Sequence, residues 1–144
     1  MLIGVYSRVI DDDMRICLPK GILAHIEDEG CYVGKCLYVA VSYDRALCVF
    51  CSIEDANEFL NDKQAYDITG GSQLFETARC LIDKRGRVTL PRLMAAKVSI
   101  LINTEVFVVG AGSYFEIWSA LEWLQPDNHI GGVVEDIQNI SALF

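Results

Sequence analysis

Histidine is nearly missing from this chain. His25 and His129 are the whole supply, and neither stands near a serine or cysteine in a nucleophile arrangement. Nothing therefore resembles a hydrolase triad. Glycine-rich phosphate loops of the Walker or Rossmann type are missing too. No apolar run approaches the roughly 18 residues that cross a bilayer, because Lys35 and the glycine-rich turns interrupt the candidates. The opening Met1-Leu2-Ile3-Gly4-Val5-Tyr6 lacks the basic region and long apolar stretch of a secretory signal. Positive charge is short as well. Twelve basic against 20 acidic side chains leave a net −8, which argues against a protein that coats nucleic acid indiscriminately. These gaps point to a cytoplasmic, non-enzymatic chain with no membrane partner and no cofactor.

What is present is a pattern that occurs twice, 72 positions apart. Ile10-Asp11-Asp12-Asp13-Met14-Arg15-Ile16-Cys17-Leu18-Pro19 lines up with Ile82-Asp83-Lys84-Arg85-Gly86-Arg87-Val88-Thr89-Leu90-Pro91. Asp11 falls on Asp83, Arg15 on Arg87 and Pro19 on Pro91. Spacing repeated this closely implies two copies of one structural unit. Each copy sets an Asp and an Arg, three residues between them, at a tip flanked by apolar runs.

The remainder of each copy keeps the same order. Helix-like stretches, 20–26 and 92–98, come after the two prolines, and Pro suits a helix start because its missing N–H had no intrahelical partner. Apolar, β-rich runs come next (36–41 and 105–109), then turns at 42–45 and 110–113, then second apolar runs at 47–50 and 115–118. Ser52 before Asp55 and Ser119 before Glu122 open capping boxes. The order read from the chain is thus strand, tip, strand, helix, strand, strand, helix, twice over. With 144 residues and 52% hydrophobic side chains, one domain of two fused halves is expected. The seam falls at Asp67-Ile68-Thr69-Gly70-Gly71-Ser72, where paired glycines punctuate the chain. This gives repeats at 1–70 and 71–125 and a tail at 126–144. In that tail Val133, Ile137, Ile140 and Phe144 form an amphipathic helical stripe that would cover the domain or dock on a neighbour.

Cys48 and Cys51 form a C-x-x-C that Cys31 and Cys36 could complete as a zinc site. The wider spacing of the first pair, and an alternating strand that would turn the Cys48 and Cys51 thiols to opposite faces, weigh against it. The second copy also has no counterparts. Free cysteine acting as a small buried hydrophobe is the expectation. The acidic triplet Asp11-Asp12-Asp13 could in principle take a hard cation, but a solvated acidic turn is the plainer reading.

Charge divides the halves. Residues 1–72 carry net −6 and residues 73–144 net −2. Arg79, Lys84, Arg85, Arg87, Arg92 and Lys97 face one acid in their window, Asp83. Such a cluster is an electrostatic footprint for phosphates, or a strand edge guarded against aggregation.

The string Asp83 to Pro91, then Glu105-Val106-Phe107-Val108-Val109-Gly110, then Phe115-Glu116-Ile117-Trp118 and Trp123, resembles the second half of MraZ proteins. Gly4-x-Tyr6 and the Asp11…Arg15…Pro19 frame resemble the first half, so the likeness spans residues 1–125. It implies an α+β, mainly β fold of the AbrB-like kind: a duplicated swapped-hairpin, double-split β-barrel with short helices. It also implies a ring-shaped homo-oligomer, nucleoid-associated, that regulates division and cell-wall genes through DNA direct repeats in a promoter region. On that likeness Asp11, Asp83 and Gly86 would shape the tips. Arg15, Arg87, Arg85, Lys84, Arg8 and Lys20 would contact DNA, Arg offering the planar fork that suits phosphate or guanine. The first tip departs from the family pattern, with Asp13-Met14 where first halves carry Lys-Gly. Three readings result: DNA contact mainly through the second tip, weak binding rescued by a ring, or a non-enzymatic assembly or protein-interaction module with DNA binding lost.

Overall fold

The computed structural model describes residues 1–27, 30–42, 45–66 and 77–125. The seam at 67–72, the tail stripe at 126–144 and His129 lie outside the described residues.

Among the described residues eight strands and four helices follow the order read from the sequence: β1 (Val5–Val9), β2 (Arg15–Cys17), α1 (Lys20–Ile26), β3 (Cys36–Ser42), β4 (Ala46–Phe50), α2 (Ile53–Tyr66), β5 (Thr77–Leu81), β6 (Arg87–Thr89), α3 (Arg92–Lys97), β7 (Glu105–Gly110), β8 (Tyr114–Ser119) and α4 (Ala120–Trp123). Fold class is α+β, mainly β. Pro19 and Pro91 stand just outside α1 and α3, not inside them, and lend their carbonyls to the amides of Leu23 and Ala95.

The pairing of strands crosses between halves. β1 pairs with β7, β5 with β3, and β2 with β6, while β4 meets β8 at the centre. Exchanging the two halves maps each register onto another: Val5 opposite Val109 becomes Thr77 opposite Ala40, and Arg15 opposite Thr89 becomes Arg87 opposite Cys17. The duplicated sequence therefore carries a duplicated pairing code. Two sheets result, a six-stranded β1-β7-β8-β4-β3-β5 and a two-stranded β2-β6 ribbon. Among the described residues this is an open arrangement with β1 and β5 at the edges, not a closed barrel. The strands flanking each tip also fail to pair with one another. Ile10 bonds to Asn103 and Thr104 before the chain turns into the ribbon, so each tip is a corner between sheets.

Both faces of the large sheet are covered at β4, and Cys48 and Cys51 turn to opposite faces as the alternation predicts. All five residues of β4 are buried. Leu47 and Val49 join the main core with Leu37, Val106, Phe115, Ile117, the ribbon's Ile16 and Val88, and Ile22 and Ala95 from the helices. Cys48 and Phe50 face the other way, where Phe59 of α2 packs 5.0 Å from Phe50 and 5.6 Å from Tyr114. Trp118 and Trp123 pack edge-on at 5.5 Å over Ala46. These aromatics are core, unavailable for stacking on bases. Ser52 and Ser119 cap α2 and α4, each hydroxyl accepting at 3.1 Å from the amide three residues on.

Cysteine as a buried hydrophobe holds for Cys48 and Cys80 and in part for Cys36 and Cys51, but Cys17 and Cys31 are exposed. Desolvation pushes Cys51, helped by Asp55, and Cys80, helped by Cys36, up to about 11, so both are neutral and unreactive near pH 7. Among the described residues no three His, Cys, Asp or Glu side chains gather into a metal-binding group.

The ribbon decides where the charges of the tips point. A three-residue pair of strands would not persist alone. Ile16 and Val88 anchor it by facing inward at 0% and 3% exposure, each contributing about 1.5–3 kcal/mol of burial. Because successive strand residues alternate faces, Arg15 and Arg87 are then obliged to face outward.

Candidate nucleic-acid interface

Both tips have the same internal wiring. Asp11 Oδ1 accepts from the amides of Asp13 and Arg15, both at 2.9 Å, and its Oδ2 accepts from Arg15 Nε at 2.9 Å. Asp83 repeats this with the amides of Arg85 and Arg87 and with Arg87 Nε, all at 2.9 Å. Main-chain bonds match as well: Met14 and Gly86 each donate to the Asp carbonyl at 3.1 Å. The carbonyls of Met14 and Gly86 in turn accept from Leu90 and Leu18 of the opposite half, at 2.8 and 2.9 Å. The Asp-to-Arg spacing thus builds a closed turn in which one carboxylate holds two amides and one guanidinium edge. Arg is needed because its planar fork can give Nε to the acid and still aim its Nη groups elsewhere.

These bonds depress both carboxyls below the usual 3.8. For Asp11 the amide of Arg15 is the largest influence, working against partial burial and joined by the Arg15 side chain and the Asp13 amide. At Asp83 burial is the largest single influence and pushes upward, but the Arg87 and Arg85 amides and the Arg87 guanidinium together outweigh it. A carboxyl depressed on folding stabilises the fold fully above its unfolded value and loses that contribution as pH falls through the lower native one. Thermal melts of wild type and of the Asp11→Asn/Asp83→Asn variant are accordingly expected to differ most above pH ~5, and to converge as pH drops below ~4.

The third turn position differs between tips. Gly86 takes φ +75° and Met14 φ +61°, the left-handed region where glycine is at ease and other residues are strained. The first tip lacks the residue best suited to a tight turn, yet Met14 adopts the same conformation and is 5% exposed. The reason lies in the neighbouring helices. A Cβ on Gly86 would stand 2.7 Å from Leu23 Cδ1 of α1, so the large residue there is on the helix. In the other half the sizes are exchanged, Met14 being large and the α3 residue equivalent to Leu23 being Ala95, both in the main core.

The ribbon's outer face brings the tips' charges together. Arg15, Asp83, Lys84, Arg85 and Arg87 line one shallow, open depression of about 420 Å³, and Asp83 is near enough to raise the basicity of Arg15. Four cations thus surround one acid that is itself bonded to Arg87. The other two candidates do not join them. Arg8 spends Nε on the Cys17 carbonyl at 3.2 Å and Nη1 on the Ser7 carbonyl at 2.7 Å, with its guanidinium 5.9 Å from the Tyr6 ring. Lys20 opens α1, exposed, and is not part of the lining.

This geometry sits on a chain with relatives. Residues 74–128 match the sequence model of a family described as "MraZ protein, putative antitoxin-like". Over 137 residues the chain is 31% identical to the "Transcriptional regulator MraZ" of Kocuria rhizophila, covering 87% of this chain and 85% of that protein. The chain belongs to the MraZ family. The proteins of the same name from Dictyoglomus thermophilum (22% over 149 residues, 99% and 94% covered) and Limosilactobacillus fermentum (25% over 149 residues, 100% and 96% covered) run its whole length. The MraZ sequence model itself falls on the second half, across the tip that carries Lys84, Arg85 and Arg87, and leaves out the acidic first tip.

Sequence reasoning missed Asn103, Leu23 and Ala95. Asn103, at φ +59°, donates from Nδ2 to Asp12 Oδ1 at 2.7 Å across 91 residues, a contact that only the β1–β7 register reveals. Leu23 and Ala95 were within reach of the repeat: setting 20–26 against 92–98 shows large and small exchanged opposite Gly86 and Met14.

Proposed function

We propose that this chain is a sequence-preferring, DNA-binding transcriptional regulator that meets the phosphate backbone with the depression on its ribbon. The observation that carries this is the convergence of Lys84, Arg85 and Arg87 on one outward surface of a chain that is acidic elsewhere, with Arg15, paired to Asp11 and Asp13, at its side. A local cationic surface on an acidic body attracts a polyanion in one orientation and repels it in others. Relatives named as transcriptional regulators support the same role. The crossing of strands between halves supports a swapped-hairpin origin of the double-split kind. A site of three or four cations binds weakly alone. A ring-shaped homo-oligomer on promoter direct repeats, cytoplasmic and nucleoid-associated, would turn later contacts into intramolecular ones and raise apparent affinity by ~10²–10⁴.

Capture of genomic fragments by the purified protein at about 50 and 200 mM salt tests this. Enrichment of repeat-containing fragments at the lower salt, lost at the higher, is the expected result. Fluorescence anisotropy on such a fragment should then give a log K that falls by ~0.9 per phosphate neutralised for each log unit of salt. Failure to retain any fragment, with the oligomer intact, favours instead the assembly module that the net −8 suggests.

A further inference from the structure

The two tips share a backbone but not a sign. Position by position, Asp12 stands where Lys84 does and Asp13 where Arg85 does, on turns with the same bonds to Asp and Arg. Both first-tip acids are exposed, yet each makes a polar contact. Asp13 Oδ2 lies 3.0 Å from Arg15 Nη2, and Asp12 Oδ1 accepts from Asn103 Nδ2 at 2.7 Å. Arg15 is thus held on both edges, Nε by Asp11 and Nη2 by Asp13. Arg87 pairs with Asp83 through Nε, and the residue matching Asp13 at its tip is the cation Arg85. Two guanidiniums that look equivalent in the repeat are therefore chemically different.

We propose that Asp13, with Asp12 fixed beside it by Asn103, acts as a built-in phosphate mimic that reserves Arg15 and bars the first tip from the DNA backbone. The proposal rests on the DNA-binding reading and deepens it, because it names the residues that decide which tip engages. A phosphate approaching Arg15 must displace a carboxylate already seated at hydrogen-bond distance and pass a second one. At the other tip it meets Lys84 and Arg85 instead. The acids of the first tip bear most on Arg15, which Asp13 touches at 3.0 Å, and less on the second tip's cations across the shared depression, since the interaction weakens with distance. Each subunit then grips DNA with one tip, and its direction along the duplex is fixed by which tip that is.

Fluorescence anisotropy on a captured fragment, over a range of salt, tests this with variants of the full chain. Asp12→Lys/Asp13→Arg is expected to bind about tenfold tighter at low salt and to steepen the log K against log salt slope by roughly one to two units, the signature of added phosphate contacts. Adding Arg15→Ala should reverse much of that gain, and the factor it costs there should exceed the factor that Arg15→Ala costs in the wild-type background. Asp13→Asn, which keeps shape and removes charge, should give a smaller gain of the same sign. Thermal melts accompany each variant to confirm folding. If the charge-swapped first tip leaves affinity and slope unchanged while Arg87→Ala abolishes wild-type binding, this inference is overturned and the DNA-binding reading survives. If the wild-type chain binds no fragment at any salt, both fall.

Discussion

Arg87→Ala is expected to reduce DNA affinity by at least about tenfold per engaged tip, the low end of what a charged, bidentate contact contributes. Three observations make this the largest single effect. Arg87 is the better buried of the paired arginines, with 19% side-chain exposure against 31% for Arg15. It is fixed by Asp83 at 2.9 Å through Nε and lines the depression, so little ordering remains to be done on binding. It lies between Lys84 and Arg85 on the lining and the ribbon below. In an oligomer the loss compounds, because every repeat contact weakens together. Arg87→Lys should fall close to the alanine variant, since an ammonium cannot satisfy Asp83 and present a second planar edge at once. Lys84→Ala and Arg85→Ala should each lower the salt slope by about one with a smaller change in affinity. Anisotropy titrations at two salt concentrations distinguish these patterns. Wild-type affinity in Arg87→Ala would remove the second tip from any account of DNA contact.

How much of the fold and site is legible in the chain depends on the range over which the cause acts. The order of elements, the paired tips and the serine caps are local, and they stand where the sequence puts them. The Asp-to-Arg spacing is local too, since one turn of chain contains both partners and both amides. Which strand each tip's flanks would pair with is different. β1 and β2 are close in sequence, yet Val5 meets Val109 and Arg15 meets Thr89, because alternation specifies a buried face and says nothing of the partner. Alternation does place Cys48 and Cys51 on opposite faces, but it does not say that α2 and α4 cover the outer side and bury all of β4. Arg8 reads as part of the basic surface because it is near in number, but the fold turns it onto the Cys17 carbonyl. Charge in a sequence window is a sum, whereas a binding surface is a direction.

Met14→Gly is expected to destabilise the protein although it places the best-suited residue in a left-handed turn. Relief of the φ +61° strain returns about 1–2 kcal/mol. Removing a side chain that is 5% exposed sacrifices more, because Met-to-Ala truncations in cores cost about 2–5 kcal/mol through lost transfer energy and the cavity left behind. The difference, roughly 0–4 kcal/mol, should over most of that range appear as a melting point lower by several degrees for a domain of this size. Ala95→Leu alone should also destabilise, by about 1–3 kcal/mol, since Ala95 is fully buried in the core that also holds Met14. Together the two changes reproduce the pairing that Gly86 and Leu23 already make in the other half. Met14→Gly/Ala95→Leu is therefore expected to melt near wild type, with the two losses cancelling. A double variant whose loss is simply the sum of the singles would mean that the sites do not touch energetically. The exchange of large and small across the repeat would then be coincidence, not the device that lets a methionine sit where its twin tip requires glycine.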